Sequence, residues 1–375
     1  MKRLPPELRI KRVRHDRRRQ RSDARRRLPK LRRQERLAAL LAAHRDRLPF
    51  NPINAGRLPL LVPEVLSLRT NYAETAAFIA SIRQYALDQF IPIDLYFDKV
   101  REVEVGALTV LTAEIQRCRF LRRVGGKLLV GGTYPQDAQV YNQLKGLGFF
   151  RLLHIAENSA HGEDDGDAAK TRVVLPFLTD AEVTPERTDT FLDTLVSAIK
   201  DTVEMDERSQ RYLYGAIIEA MKNAGEHAYK LPSSHQRLKR RWWLTAALDL
   251  GLREVSISLF DQGVGIPLTL EADLRAIAES VANLEGFSPP DSLLIEIATR
   301  TGRTSTHQAG RGQGFRTMRK FVDACDDGEL LVYSNSGLYM YARSGASRAD
   351  EPVSLGGTLI QWRFRHSTAL TDVDQ

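Results

Sequence analysis

The chemistry open to this sequence rests on a helix face that carries a carboxylate and an amide, and on glycine clusters further along the chain. Glu219, Asn223 and His227 stand four apart within Asp206 to Tyr229. In that stretch Tyr212, Leu213, Ala216, Ile217, Ala220 and Met221 recur at three- and four-residue intervals. The spacing predicts a helix with Glu219, Asn223 and His227 on one face. A carboxylate there can polarise a water or an acceptor hydroxyl. An amide oxygen one turn later can hold magnesium, which prefers oxygen ligands and keeps several waters. Taken alone, the same pattern is also an ordinary solvated helix face.

The glycines add to it. Arg253-Glu-Val-Ser-Ile-Ser-Leu-Phe260 alternates and is rich in β-formers, which predicts a strand. That strand delivers Asp261 to its carboxyl end, with Gly263 and Gly265 directly after it. Glycines at such a point let backbone approach a ligand without a Cβ in the way. A tight turn is the plainer alternative, but Asp261-Gln-Gly-Val-Gly-Ile-Pro267 is longer than a tight turn needs. Gly310-Arg-Gly-Gln-Gly314 precedes Phe315 to Ala324, where Met318, Phe321 and Val322 form a helical apolar stripe. A glycine-rich loop entering a helix presents free amide donors suited to phosphate, and Arg311 either reaches a phosphate or faces solvent. No Gly-Lys-Ser/Thr follows, so this is no Walker loop, and no strand leads into Gly310 as a dinucleotide fingerprint requires. Leu268 to Ala309 then reads as a lid, with Arg303, Thr304, Ser305, Thr306 and His307 as its polar end. Leu330–Ser334 and Leu338–Ala342, joined by Asn335-Ser-Gly337, predict a hairpin. A last strand opens with Gly356-Gly-Thr358, where a buried threonine at a strand start is the plainer reading.

In this order the motifs Glu219-Ala-Met-Lys-Asn223, Asp261-Gln-Gly-Val-Gly265, Gly310-Arg-Gly-Gln-Gly314 and Gly356-Gly-Thr358 resemble the GHKL ATPase superfamily, over about half the chain. The resemblance implies a Bergerat-type ATP-binding fold, a two-layer α/β sandwich, at 173–366. It implies ATP and Mg2+ as cofactors. Asp261 would accept a hydrogen bond from the adenine amino group beside Gly263 and Gly265, with the Thr358 hydroxyl nearby. Asn223 would hold the metal, Gly310, Arg311, Gly312 and Gly314 the phosphates, and Glu219 would be the catalytic base. Asn223-Ala-Gly-Glu-His-Ala-Tyr229 resembles the anti-sigma serine kinase branch. A sensor histidine kinase needs a phosphoacceptor helical hairpin, and the candidates His154 and His161 fall in or beside a Gly/Asp-rich stretch. Members with a transducing domain after the ATPase are disfavoured, since about ten residues follow Phe364.

Residues 70–155 alternate strand and helix patterns. Pro92–Phe97 and Lys127–Gly132 read as strands, Val105–Cys118 and Gln136–Leu147 as helices, and the alternation argues for parallel pairing in an α/β layer. The pattern resembles a STAS domain, the antagonist fold that partners serine kinases of this branch. STAS antagonists carry a phosphorylatable serine before the first of these helices. Glu102-Val-Glu-Val-Gly-Ala107 has neither Ser nor Thr, so either a glutamate imitates a constant phosphate or the domain is purely structural. Residues 156–172, rich in Gly and Asp, read as a linker.

From Met1 to Arg47 there are 19 Lys and Arg against 5 Asp and Glu, a net +14. With the whole chain at +8, the remaining 328 residues carry −6. Residues 1–50 therefore read as a basic, self-repelling disordered tail, with a short helix possible within Leu28–Leu48. Such a tail suits nucleic acid ahead of an anionic membrane, although a merely solubilising tail fits too. No aromatic interrupts residues 1–47, so base stacking is not expected. Cys118 and Cys325 are isolated, without metal spacing, as in a reducing cytoplasm. No apolar run approaches the ~20 residues that span a bilayer, and no secretion signal is legible. The expectation is a cytoplasmic regulatory Ser/Thr kinase or ATPase, dimeric or not, acting on a STAS-type or sigma-factor-type protein. The alternative is a non-catalytic ATP-gated module that engages protein or nucleic acid through lid closure and the basic tail.

Overall fold

One helix, buried on every side, lies between two sheets and organises the molecule. It is Val105–Leu121, and every residue from Val105 to Cys118 is buried, including Thr109, Thr112, Glu114, Gln116 and Arg117. A helix without a solvated face belongs between two layers. The computed structural model describes residues 32, 34–40, 42, 56–121, 123–124, 127–128, 130–157, 172–180, 185–200, 205–229, 241–282, 288–301 and 314–365.

The elements in chain order begin with α1 (34–40), β1 (Leu58–Leu61), β2 (Val65–Leu66), α2 (Tyr72–Ile82) and β3 (Ile93–Tyr96). Then come β4 (Glu102–Val103), α3 (the buried Val105–Leu121), β5 (Arg123–Val124), β6 (Lys127–Leu128), β7 (Val130–Gly132), α4 (Ala138–Gly146) and α5 (Phe149–Leu152). Strands β1, β3 and β7 form a parallel sheet in that order, with Leu58 opposite Ile93 and Ile93 opposite Val130. Parallel neighbours need crossovers, and α2 and α3 lie in those connections. The pattern read at 92–147 thus appears as parallel β3 and β7 with α3 and α4. The sheet starts earlier than residue 70, because Leu58–Leu61 adds a strand. Leu37 of α1 is buried in the same core, so part of the basic stretch belongs to the folded body; its leucines supply the apolar side that the charge count hides. The rest of residues 1–50, and 158–171 of the expected linker, lie outside the described residues.

The second half contributes β8 (Arg172–Asp180), α6 (Pro185–Lys200), α7 (Glu207–Glu226), β9 (Trp242–Asp249) and β10 (Glu254–Asp261). It continues with α8 (Ile266–Thr269), α9 (Ala272–Ala282), α10 (Asp291–Thr301), α11 (Gly314–Ala324), β11 (Asp327–Ser334), β12 (Gly337–Ala342), β13 (Gly345–Asp350) and β14 (Thr358–Arg365). Seven strands pair antiparallel in the order β13-β12-β11-β14-β10-β9-β8. Alternate residues of a strand face opposite sides, and here both sides are covered. Trp242, Leu244, Ile257, Leu259, Val332, Ile360 and Trp362 pack with Leu213, Ile217 and Met221 of α7 and Phe321 of α11. Trp243, Phe260, Leu331, Tyr333 and Leu359 pack instead with the N-terminal layer. The described residues form a mixed α/β structure in which α3 lies between the three-stranded parallel sheet and the seven-stranded antiparallel sheet, with two small two-stranded pairings, β2–β4 parallel and β5–β6 antiparallel, beside them.

Hydrogen bonds fasten this junction. Trp243 Nε1 donates to Gln116 Oε1 (2.7 Å), Tyr333 Oη to the Leu68 carbonyl (3.0 Å) and Tyr72 Oη to the Val353 carbonyl (2.9 Å). At the position where the STAS resemblance expects a serine, the Glu104 carboxylate accepts from the Leu68 N–H (2.8 Å) and the Ser67 hydroxyl (3.3 Å). No helix among the described residues is long and apolar enough to cross a membrane.

Candidate functional site

Helix α7 starts at Asp206, whose side chain accepts from the Ser209 N–H (2.7 Å). Its buried face is Leu213, Ala216, Ile217, Ala220, Met221 and Ala224. Glu219 and Asn223 are half-buried, and Lys222 Nζ lies 3.6 Å from Glu219 Oε1. The first residue of α11, Gly314, sits against both: an added Cβ would stand 3.2 Å from Glu219 Oε2 and 3.3 Å from Asn223 Nδ2. The predicted base, metal ligand and end of the glycine-rich loop are therefore neighbours. His227 is the C-cap of α7, where its N–H donates to the Asn223 carbonyl (3.0 Å).

The second cluster lies at the end of β10. Asp261 is opposite Thr358 on one side and Trp242 on the other. Its carboxylate is buried and accepts from the Gly263 N–H (2.8 Å) and from the Thr358 N–H. Burial pushes its pKa up to about 7 from the ordinary 3.8, and these two backbone bonds oppose the rise without cancelling it. A Cβ on Gly263 would come within 2.3 Å of the Ala228 carbonyl oxygen, and one on Gly357 within 2.1 Å of the Asp261 carbonyl oxygen. Gly265 has φ +87° and lies against Asn335, whose Nδ2 donates to the Val264 carbonyl (3.0 Å). The Thr358 and Ser334 hydroxyls are 3.0 Å apart, and Ser334 Oγ accepts from the Ile266 N–H (2.8 Å).

The carboxyl end of α7 joins the two clusters. The Asn223 carbonyl accepts from the His227 and Ala228 N–H groups, and the Ala228 carbonyl accepts from the Val264 N–H (2.9 Å). Tyr229 donates its hydroxyl to the Arg241 carbonyl and accepts from the Gln262 N–H (3.1 Å). Burial, with the Asp261 charge next, raises the Tyr229 pKa well above its ordinary value.

Glu219, Asn223 and Gly314 thus meet in one place, and Asp261, Gly263, Gly265 and Thr358 in another, bridged by Ala228 and Tyr229. Gly310, Arg311, Gly312 and residues 303–307 lie outside the described residues. Sequence reasoning noted Tyr229 and the Asn335 turn without giving either a place at the site. It placed Ser334 in a strand and Gln262 in a glycine motif without a role for either side chain, and it did not single out Arg83 or Glu114. The hairpin turn was a usable signal for Asn335, whereas Ser334, Gln262, Arg83 and Glu114 reach the site through partners 24 to 272 positions away. Among the described residues no group of three or more His, Cys, Asp or Glu could hold a metal. A cation here would have Asn223 as its protein ligand and would take its other oxygens from ligand and water, as magnesium does with phosphates.

An apolar cavity of about 210 Å³ lies elsewhere, near the carboxyl ends of β3 and β7, lined by Phe97, Phe149, Phe150 and Leu153 among others. Arg119 is the single charged side chain in its wall among the described residues. The convergence of polar groups at Glu219 and Asp261 therefore weighs more than size of cavity. No protein-family model matches the chain, and no curated protein matches it.

Proposed function

We propose that residues 173–366 form a magnesium-dependent ATP-binding unit of the GHKL type, nearest the anti-sigma serine kinase branch, with a STAS-like layer packed on its sheet. One observation carries the reading. A buried carboxylate, Asp261, is held at a strand end between two backbone N–H donors and two close-packed glycines, beside a separate cluster of Glu219, Asn223 and a helix-opening glycine. These residues span 140 positions of sequence, and a solvated helix face or a simple turn would not gather them.

In this reading Asp261 accepts a hydrogen bond from the adenine amino group, and Gly263 and Gly265 leave room for the base. Thr358, aligned by Ser334, presents its hydroxyl there. Gly310, Arg311, Gly312 and Gly314 lead into α11, whose N-terminus suits phosphate. Asn223 is the protein ligand for magnesium, which when bound neutralises phosphate charge. Glu219 orients and deprotonates an acceptor hydroxyl or a water. Because the position of the STAS serine is filled by Glu104, engaged with Leu68 and Ser67, the acceptor belongs to a separate partner of the STAS or sigma-factor type. The basic residues 1–47 suit nucleic acid, and a cytoplasmic homodimer fits the branch.

The test uses γ-labelled ATP with magnesium and three proteins: wild type, Glu219→Ala and Asp261→Asn. The reading expects binding by wild type and by Glu219→Ala, loss of binding in Asp261→Asn, and turnover in wild type alone. Label on protein marks a kinase and free phosphate an ATPase. Binding without turnover marks a nucleotide-gated module. No binding to wild type at millimolar ATP would sink the assignment.

A further inference from the structure

Between α3 and the end of the large sheet lies a buried polar cluster that the proposed chemistry does not use. Its centre is Glu114 on α3, with a side chain 1% exposed. Arg117 donates to it from Nε (3.2 Å) and more closely from Nη2, Arg83 from Nη2 (3.2 Å), and Gln262 from Nε2 (3.4 Å). Burial would raise the Glu114 pKa, but the charges of Arg117 and Arg83 outweigh it and hold the carboxyl below its ordinary value. Two guanidinium groups thus share one carboxylate, with the Glu114 and Arg117 side chains almost wholly buried and that of Arg83 20% exposed. Buried ion pairs contribute little to stability compared with apolar side chains of similar volume. This one also spans two layers, which invites a role beyond stability.

The direction of Arg83 supplies that role. It stands where α2 gives way to a π-helical turn, Arg83–Asp88, a distortion frequent at functional sites. Its Nη2 also donates to the Leu355 carbonyl (3.0 Å). Its Nη1 occupies the space of a Gly356 side chain, since a Cβ there would lie 2.5 Å away. The next residues are Gly357, in contact with the Asp261 backbone, and Thr358, whose N–H donates to the Asp261 carboxylate. A second route runs from Glu114 to Gln262, the residue after Asp261. The contacts that connect Arg83 to Asp261 run through backbone: the Leu355 carbonyl, Gly356, Gly357 and the Thr358 N–H.

We propose that Arg83, oriented by Glu114, is a positioning residue for the base-recognition end of the site. It fixes the Leu355–Gly357 turn and through it the relation of Thr358 to Asp261. The N-terminal layer thereby sets which purine is accepted without touching the ligand. The inference rests on the nucleotide reading above, and its test separates the two.

The experiment measures magnesium-dependent affinities of the full-length protein for ATP and for inosine triphosphate, which lacks the exocyclic amino group. The proteins are wild type, Arg83→Met, Arg83→Lys and Glu114→Gln, with urea midpoints taken in parallel. Wild type is expected to prefer ATP by about tenfold or more, the worth of one buried hydrogen bond. Arg83→Met and Glu114→Gln are expected to lower ATP affinity at least tenfold and inosine triphosphate affinity less than threefold. Arg83→Lys, which keeps the cation beside Glu114, should fold and give an intermediate ratio at least threefold below wild type. If Arg83→Met does not fold, Arg83→Lys carries the test. A lower urea midpoint with an unchanged ratio would overturn the positioning role and leave the nucleotide reading standing. Failure of wild type to bind ATP, or to discriminate the two purines, would overturn the nucleotide reading itself.

Discussion

Asp261→Asn replaces a buried carboxyl whose pKa lies near 7 by a neutral side chain of the same shape, and its effect on stability can be worked out with sign. The folded protein holds the Asp261 proton up to about pH 7, whereas the unfolded chain releases it near 3.8. Stability of wild type therefore falls between those values and is level above pH 7. Each pKa unit is worth about 1.4 kcal/mol, so a shift of about three units removes about 4 kcal/mol by pH 8 and about 2 by pH 5.5. The asparagine has no such loss. Its single amide oxygen leaves one of the two backbone donors, Gly263 or Thr358, less well paired, at about 1 kcal/mol. The variant should be less stable than wild type by about 0.5 kcal/mol at pH 4 and more stable by about 3 kcal/mol at pH 8, the two curves crossing near about pH 4.5. Urea melts of both proteins at half-unit intervals from pH 4 to 9 read this directly. Parallel curves across that range would refute the claim that Asp261 is desolvated without a compensating cation. On the nucleotide reading, ATP affinity of wild type should also climb as pH rises toward 7, since the ionised form is the better acceptor.

Glu114→Gln leaves the buried Arg117 guanidinium, and the partly buried one of Arg83, without their anion and should cost about 3–5 kcal/mol at pH 7. Because the Glu114 pKa is lowered on folding, its contribution is present above pH 4.5 and fades as pH falls through the lowered value, so urea melts should show the gap to wild type narrowing in acid. Gly263→Ala puts a Cβ against the Ala228 carbonyl and must displace the loop; on the proposed nucleotide reading, calorimetry should show ATP affinity falling at least tenfold, and an unchanged affinity would count against a site at this loop. Trp243→Phe keeps most of the ring but strands the buried Gln116 acceptor, which should lower stability by about 1–3 kcal/mol in urea titration.

The parts of this architecture legible in the sequence are those with a strong local period. Helix α7 shows its apolar stripe, β10 its alternation, and β11–β12 their Asn335-Ser-Gly turn; each appears within a few residues of its expected ends. The parallel pairing of β3 and β7 follows from strand–helix alternation. What was hidden is the second covering of α3. Thr109, Thr112, Glu114, Gln116 and Arg117 look like a solvated side, yet they are buried. The threonine hydroxyls donate back to the carbonyls of Val105 and Leu108, Gln116 accepts from Trp243 of the large sheet, and Glu114 and Arg117 pair with each other, with Arg83 and Gln262 also donating to Glu114. Helix α6 and strand β9 went unassigned, β9 because Trp242-Trp243 follows a basic run that reads as loop. Helices α9 and α10 fall inside the stretch Leu268 to Ala309, read as a lid with no elements assigned to it. At the site, the motifs marked Asp261 and Asn223, but nothing local marks Arg83, whose partners Glu114 and Leu355 lie 31 and 272 positions away.

The sharing of α3 between two sheets bears on how the chain can be cut and inherited. A fragment beginning near Arg172 would carry every glycine motif, yet it would present Trp243, Phe260, Leu331, Tyr333 and Leu359 to water as one aromatic-rich face. Such a face, on a seven-stranded sheet, is a template for self-association. Expressed alone, the second half should therefore collect in the insoluble fraction, and cleavage at a protease site inserted between residues 157 and 172 should leave two pieces that stay together. Amide protons of β9, β10 and α3 should exchange on one timescale, set by a single opening event, because none of the three is covered unless the others are in place. Shuffling the two halves independently among other chains would thus be selected against, and the pair would pass through evolution as a unit.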